Sequence, residues 1–164
     1  MEYNIDELRI RVVTPEDKDR VTAFFASLGE EGTHFLNRGR GNERGALAYC
    51  NGEKPDRIYW AAVHDTDDGE EFVGLTFIWN KDSMIPWFGI GVSEQWKGRH
   101  LGRRLMATAV EWAKAANAGG ILLTTATTNV RGQTLYERCG FERIGIYHDG
   151  EIIYLLTFPN DNVN

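Results

Sequence analysis

Apolar and polar residues alternate in LRIRVV, Leu8 to Val13, and predict a strand. Thr14 and Pro15 then announce a helix, since Thr caps well, Pro suits a first turn, and Glu16 and Asp17 favour the positive end of the helix dipole. Val21, Phe24, Phe25 and Leu28 recur at helical spacing along it, and Gly29 supplies a stop. Between Glu30 and Gly52 the periodicity fades. Five glycines in and around FLNRGRGNERG predict a loop there, followed by a short helix near Ala46 to Tyr49.

Three aromatic and β-branched runs follow, Ile58 to His64, Phe72 to Trp79 and Ile85 to Val92, and each predicts a strand. The acidic run Asp65 to Glu71 reads as the hairpin connection between the first two. Leu101, Leu105, Ala109, Trp112, Ala113 and Ala116 then mark a helix that Gly119 and Gly120 end. Ile121 to Thr128 predicts a buried strand, Gln133 to Cys139 a short helix closed by Gly140, and FERIGIY with IIYLLTF a hairpin across Asp149-Gly150. Strands interleaved with helices in this order predict a mixed α/β fold, α+β in character, as a single domain over residues 1–164.

Composition narrows the function classes. The chain has 164 residues, 42% hydrophobic, and carries eighteen Lys and Arg against twenty-four Asp and Glu, a formal net charge of -6. An acidic chain offers no broad electrostatic footprint to nucleic acid. Cys50 and Cys139 lie far apart without His or Cys at ligand spacing, which argues against a disulfide framework and against a metal site. The opening MEYNIDELRIRVV lacks the apolar run of a secretion signal, and no segment has the roughly 20 apolar residues that span a bilayer. A cytoplasmic protein, without membrane or nucleic-acid partners and present as monomer or homodimer, is the expectation.

Candidate chemistry concentrates in VSEQWKGRHLGRRLM. Lys97, Arg99, Arg103 and Arg104 place four of the eighteen basic residues at the start of a predicted helix. Cations there oppose the helix dipole, and an anion resolves the conflict. A glycine-containing turn entering a helix aims free backbone N–H groups at one point and suits a phosphate or pyrophosphate, although a solvated basic turn has the same residues. Neither GxxxxGK(S/T) nor GxGxxG occurs, so a P-loop and a dinucleotide fingerprint are both excluded.

This stretch resembles the acyl-coenzyme A motif of the GNAT superfamily of N-acetyltransferases, Gln/Arg-x-x-Gly-x-Gly/Ala, in the register Lys97-Gly98-Arg99-His100-Leu101-Gly102. A second segment, NVRGQTLYERCGF from Asn129 to Phe141, is similar to the same family's N-x(5)-LY-x(3)-GF. The resemblance covers roughly Phe72 to Phe158. It departs at Lys97, which stands for Gln or Arg, and at His100, which stands for the central glycine. His100 has two readings. Histidine tolerates positive φ and can offer a donor to a phosphate oxygen, or its side chain crowds the pyrophosphate.

The resemblance implies a central mixed sheet, splayed where the coenzyme enters, with helices on both faces. It implies acetyl-coenzyme A as cosubstrate and direct transfer of its acetyl group to a primary amine of a small molecule or protein. A non-catalytic acyl-coenzyme A binding or sensing domain is the alternative. Backbone groups near Ile90 and Val92 then meet the pantetheine arm, the N–H groups of Arg99 to Arg104 surround the pyrophosphate, and Asn129 contacts pantetheine unless it serves only as a cap. Tyr136 becomes the general acid toward the leaving sulfur. No general base follows: IPWFGIGV has no carboxylate, and Glu94, Asp82 and His64 read as surface residues. Trp60, Trp79 and Trp87 read as core, with room for one to wall an acceptor pocket. Cys139 reads as a small buried residue, and Arg38, Arg40 and Arg44 as a surface loop rather than an RNA-binding segment.

Overall fold

The computed structural model describes residues 3–159; Met1 and Glu2, at the head of the acidic opening, and residues 160–164 lie outside them. Seven strands form one sheet: β1 (Arg9–Val12), β2 (Ile58–Thr66), β3 (Gly69–Trp79), β4 (Trp87–Val92), β5 (Gly120–Thr125), β6 (Glu142–Ile146) and β7 (Ile152–Thr157). Their spatial order is β1-β2-β3-β4-β5-β7-β6. Every neighbouring pair is antiparallel except β4 and β5, which are parallel and share a single paired position, Trp87 with Leu122. Beyond that position the two strands part. The splay is real.

Five α-helices cover the sheet: α1 (Lys18–Ala26), α2 (Gly29–Leu36), α3 (Gly41–Cys50), α4 (Leu101–Ala115) and α5 (Val130–Arg138). A parallel strand pair needs a crossover, and α4 provides it. On one face, Val21, Phe24 and Phe25 of α1 and Ala46 and Cys50 of α3 pack on Tyr59, Ala61, Leu75 and Phe77. On the other, α4 sets Leu105, Met106, Ala109 and Ala113 against Trp60, Ala62, Ile78 and Ile121. The period-2 alternation Tyr59/Ala61 and Trp60/Ala62 therefore buries β2 on both sides. Each large apolar side chain so buried contributes about 1.5–3 kcal/mol.

The loop expected from Glu30 up to the predicted Ala46–Tyr49 helix is instead helical: α2 and α3 are joined by a short 3-10 turn, Arg38–Arg40, and α3 contains the predicted helix but starts at Gly41. Two glycines inside these helices have packing reasons. A Cβ at Gly32 would lie 3.1 Å from the Leu28 Cβ, and one at Gly45 would lie 2.6 Å from Nη1 of Arg57. Arg40 pairs with Glu43 at 2.6 Å and Asn37 is buried against the same carboxylate, so the glycine-spaced arginine run builds a helix junction. The strand predicted over Ile121 to Thr128 ends at Thr125, and α5 begins three residues before Gln133, because Asn129 caps it.

Asp17 ties the N-terminal half together. It is 1% exposed and accepts from Arg11 at 2.8 Å through both oxygens, from Arg20 at 3.0 Å, and from the Thr14 backbone N–H at 2.7 Å. Burial on its own raises a carboxyl pKa, but the bonds from Arg11 and Thr14 outweigh it and hold Asp17 well below the usual carboxylate range. A depressed folded-state value means stability that is present above the ordinary value of 3.8 and is lost as pH falls below it. Asp17→Asn is expected to lower the unfolding free energy at pH 7 by about 3 kcal/mol. Urea unfolding at neutral and acid pH checks this: wild type should lose more stability on acidification than the variant does.

Candidate functional site

Where β4 and β5 part, two cavities open and meet. One, of about 760 Å³, lies between the end of β4, the turn before α4 and the start of α5. The other, of about 560 Å³, lies on the α3 face over Phe77, Trp79, Trp87 and Gly89. Phe35, Leu36, Ile90, Asn129 and Tyr136 line both. Gly89 makes room for the Phe77 ring against β4, since any side chain there would run into it.

The turn from β4 into α4 is built by backbone conformation. Gly98 takes φ +75°, where glycine has no steric cost, and His100 takes φ 67°, ψ 14° as the residue before the helix. His100 thus holds the left-handed conformation in the family glycine's place, and its side chain lines the first cavity. Leu101, Gly102 and Arg103 open α4 with N–H groups that have no intrahelical partner, at the positive end of the dipole. Gly102 has a further reason: a Cβ there would lie 3.1 Å from Leu135, so it lets α4 and α5 approach. Ile90 and Val92 line the same cavity from β4, whose β5-facing edge has no strand partner past Trp87 among the described residues.

The basic side chains divide sharply. Lys97 lines the cavity but pairs with Glu94 at 2.9 Å. Arg103 also lines it, and no ion pair engages it among the described residues. Arg99 and Arg104, both placed around the pyrophosphate by the resemblance, do not line it. Arg99 donates to the Gln95 carbonyl and stacks on Tyr3 at 4.3 Å, while Arg104 donates to the carbonyls of Ile5 at 2.6 Å and Leu8 at 2.7 Å. Arg104 therefore fastens the N-terminal segment to α4. Two arginines that the motif reading missed, Arg131 and Arg138 on α5, line the cavity instead. Their signal was their spacing from Tyr136, five residues before it and two after.

Tyr136 is buried, 8% exposed, among Phe141, Tyr154 and Leu135. Its hydroxyl has no hydrogen-bond partner among the described residues and belongs to the wall shared by both cavities. Burial pushes its pKa well above the ordinary tyrosine value, and the nearby Glu151 carboxylate adds to the effect. Asn129 caps α5 through Oδ1, which accepts from Gly132 at 3.1 Å, and its Nδ2 donates to Thr125 at 3.0 Å. It does so while lining both cavities, so capping and cavity contact coincide in one residue.

None of Glu94, Asp82 and His64 lines either cavity: Glu94 is held by Lys97, Asp82 is solvent-exposed beside Lys81, and His64 packs on Trp96. The carboxylates that do line the second cavity are Asp56 and Glu151. Trp79 and Trp87 wall that cavity, whereas Trp60 is core. The Cys139 thiol is pushed up by burial and is no activated nucleophile.

A model of the acetyltransferase (GNAT) family matches residues 18–141. Among curated proteins, a probable N-acetyltransferase family 8 member 5 of Mus musculus is 33% identical over 72 residues, 43% of this chain and 32% of that protein. An uncharacterized N-acetyltransferase, YvbK of Bacillus subtilis, is 28% identical over 82 residues, 49% of this chain and 53% of that protein. The match thus spans about a third of one relative's length and about half of the other's. Among solved structures, the PaiA N-acetyltransferase of Thermoplasma acidophilum in complex with coenzyme A superposes with a TM-score of 0.77 at 13% identity, over 92% of this chain and 99% of that one. The ribosomal-protein-S5-alanine acetyltransferase of Vibrio fischeri gives 0.76 at 15% identity, over 99% and 97%. These two likenesses are of fold.

The division among the arginines is open to test by unfolding. Arg104→Ala strips two carbonyls of their donors and is expected to cost about 2 kcal/mol, while Arg103→Ala should stay within about 0.5 kcal/mol of wild type. Equal losses in a denaturant titration would contradict this division.

Proposed function

The chain belongs to the acetyltransferase (GNAT) family, and we propose that it transfers the acetyl group of acetyl-coenzyme A directly to a primary amine. The observation that carries the reading is the meeting of two cavities at Tyr136, with an anion-binding helix start in one and an aromatic, carboxylate-bearing chamber in the other. A transfer between two bound partners needs this geometry: reacting groups held on either side of one point, without a covalent enzyme intermediate.

The residues fit the coenzyme's chemistry. Free N–H groups of Leu101 to Arg103 suit the pyrophosphate oxygens, and Arg103, Arg131 and Arg138 suit its phosphates. His100 leaves the turn intact and offers a ring nitrogen to the same lobe. The unpaired edge of β4 near Ile90 and Val92 suits an amide-bearing arm, with Asn129 opposite.

In the transfer the amine nitrogen attacks the thioester carbon, the C–N bond forms, and the C–S bond breaks with its electron pair on sulfur. Tyr136 donates to that sulfur as charge develops on it. A phenol is already a weaker acid than a thiol and burial widens the gap, so its main work is to hold a hydrogen bond to the developing thiolate. The nitrogen loses one proton to water or to a cavity carboxylate, and the thiolate takes one from solvent, or from Tyr136 with the phenol then reprotonated by solvent, which balances the reaction as amide plus thiol.

Thiol release from acetyl-coenzyme A with a panel of amines, together with coenzyme titrations, tests the reading. Tyr136→Phe is expected to lower kcat by about a hundredfold while leaving acetyl-coenzyme A affinity within about twofold. Unchanged kcat would remove Tyr136 from the chemistry. Arg103→Ala should weaken coenzyme binding about tenfold, consistent with one charge-assisted bond at a wet site. Because the phenol's raised value keeps it protonated below its ordinary pKa of 10.0, no fall in rate from this group is expected between neutrality and about pH 9.5. Coenzyme bound without thiol release in the presence of any amine would leave only a binding domain.

A further inference from the structure

One cation of the second cavity has no role in the transfer just described. Arg57 enters the cavity from the turn before β2 and lies on the Trp79 ring at 4.1 Å. Its Nη1 donates to the Tyr59 hydroxyl at 3.2 Å, and the same hydroxyl accepts from the Trp79 indole N–H at 3.1 Å. The guanidinium is thus clamped flat and fixed in direction. Gly45, in the middle of α3, leaves the space it occupies, since a Cβ there would lie 2.6 Å from Nη1. A helix interior ordinarily disfavours glycine, so the exception favours the arginine's position.

No acid answers this charge. Among the described residues Arg57 has no ion pair, and its Nε is buried without a hydrogen-bond partner. Its neighbour Asp56 is turned to the next loop, where its carboxylate accepts from the Asn80 N–H at 3.3 Å. Nη1 is committed to Tyr59 and Nε is enclosed by protein, so Nη2, which makes no hydrogen bond among the described residues, is the group the guanidinium offers to an acidic ligand. Beside Tyr136 the cavity carries the Glu151 carboxylate, from the residue just before β7, and no ion pair engages it among the described residues. The cavity therefore presents Glu151 beside Tyr136, where the acyl group would arrive, and Arg57 over Trp79, while Asp56 is held by the Asn80 N–H.

Resting on the proposed amine acetylation, we infer that the acceptor is a small amino acid-like molecule, whose amine lies by Glu151 and Tyr136 and whose acidic group is bound by Arg57. Arg57 is then the specificity-determining residue. Phe35, Trp87 and Tyr147 supply apolar wall in the same cavity for the acceptor's carbon chain. A dication such as a diamine would place its second ammonium against the guanidinium, which disfavours it.

The test compares matched primary amines with and without an acidic group: 4-aminobutyrate against butylamine, 6-aminohexanoate against hexylamine, and putrescine as the dication. Wild type is expected to prefer the acid-bearing member of a pair by at least about tenfold in kcat/KM. Arg57→Gln should abolish that preference mainly through KM, with uncharged amines within about twofold, and Arg57→Lys should restore part of it. Plain amines or putrescine used as well as the amino acids would overturn the inference while leaving amine acetylation standing. Equal loss for all acceptors in Arg57→Gln would make Arg57 structural and overturn it too. Coenzyme bound but no acceptor acetylated would overturn the acetylation reading itself. Should Arg57→Gln not fold, the wild-type preference across the panel decides.

Discussion

Everything functional in this molecule depends on two parallel strands that pair once and then separate. Had β4 and β5 continued past Trp87 and Leu122, the sheet would be closed and no cavity would cross it. Their parting leaves one edge of β4 unpaired, points the start of the crossover helix α4 at the gap, and sets α5 with Tyr136 across it. A parallel pair requires a crossover between its strands, so the helix start that can hold an anion and the gap that can hold its ligand come from one topological fact.

The gap also sorts the charges. Arginines that meet carbonyls or carboxylates hold the fold: Arg11 and Arg20 on Asp17, Arg104 on Ile5 and Leu8, Arg40 on Glu43. Four arginines without such partners among the described residues face the cavities, Arg103, Arg131 and Arg138 in one lobe and Arg57 in the other. This explains how a chain with a formal net charge of -6 has a basic lobe. The long-range field is acidic, while the local field is set by where the unpaired guanidinium groups lie.

Features written in contiguous residues were legible in the sequence. The turn from Lys97 to Gly102 and the segment from Asn129 to Phe141 carry their geometry locally, and the structure brings Tyr136, Asn129, His100 and Gly98 to one place. Contacts between distant elements were not legible. Arg104 is spent on carbonyls 96 and 99 residues away, and nothing local distinguishes it from Arg103. Glu151 and Arg57 enter the second cavity from a hairpin and a turn that no motif marks. α2 and the first turn of α3 escaped because glycine is a weak helix former. Gly32 and Gly45 are tolerated in these helices because Leu28 and Arg57 occupy the space a side chain would need.

The central claim is that the two cavities act as one site joined at Tyr136. Its most direct test is a calorimetric titration with coenzyme A joined through an acetyl bridge to the nitrogen of an amine acceptor, beside coenzyme A alone. A continuous site should bind the conjugate at least about a hundredfold more tightly, because both lobes are filled by one molecule. Affinities equal within error would show that the lobes do not communicate, and would contradict transfer across the splay.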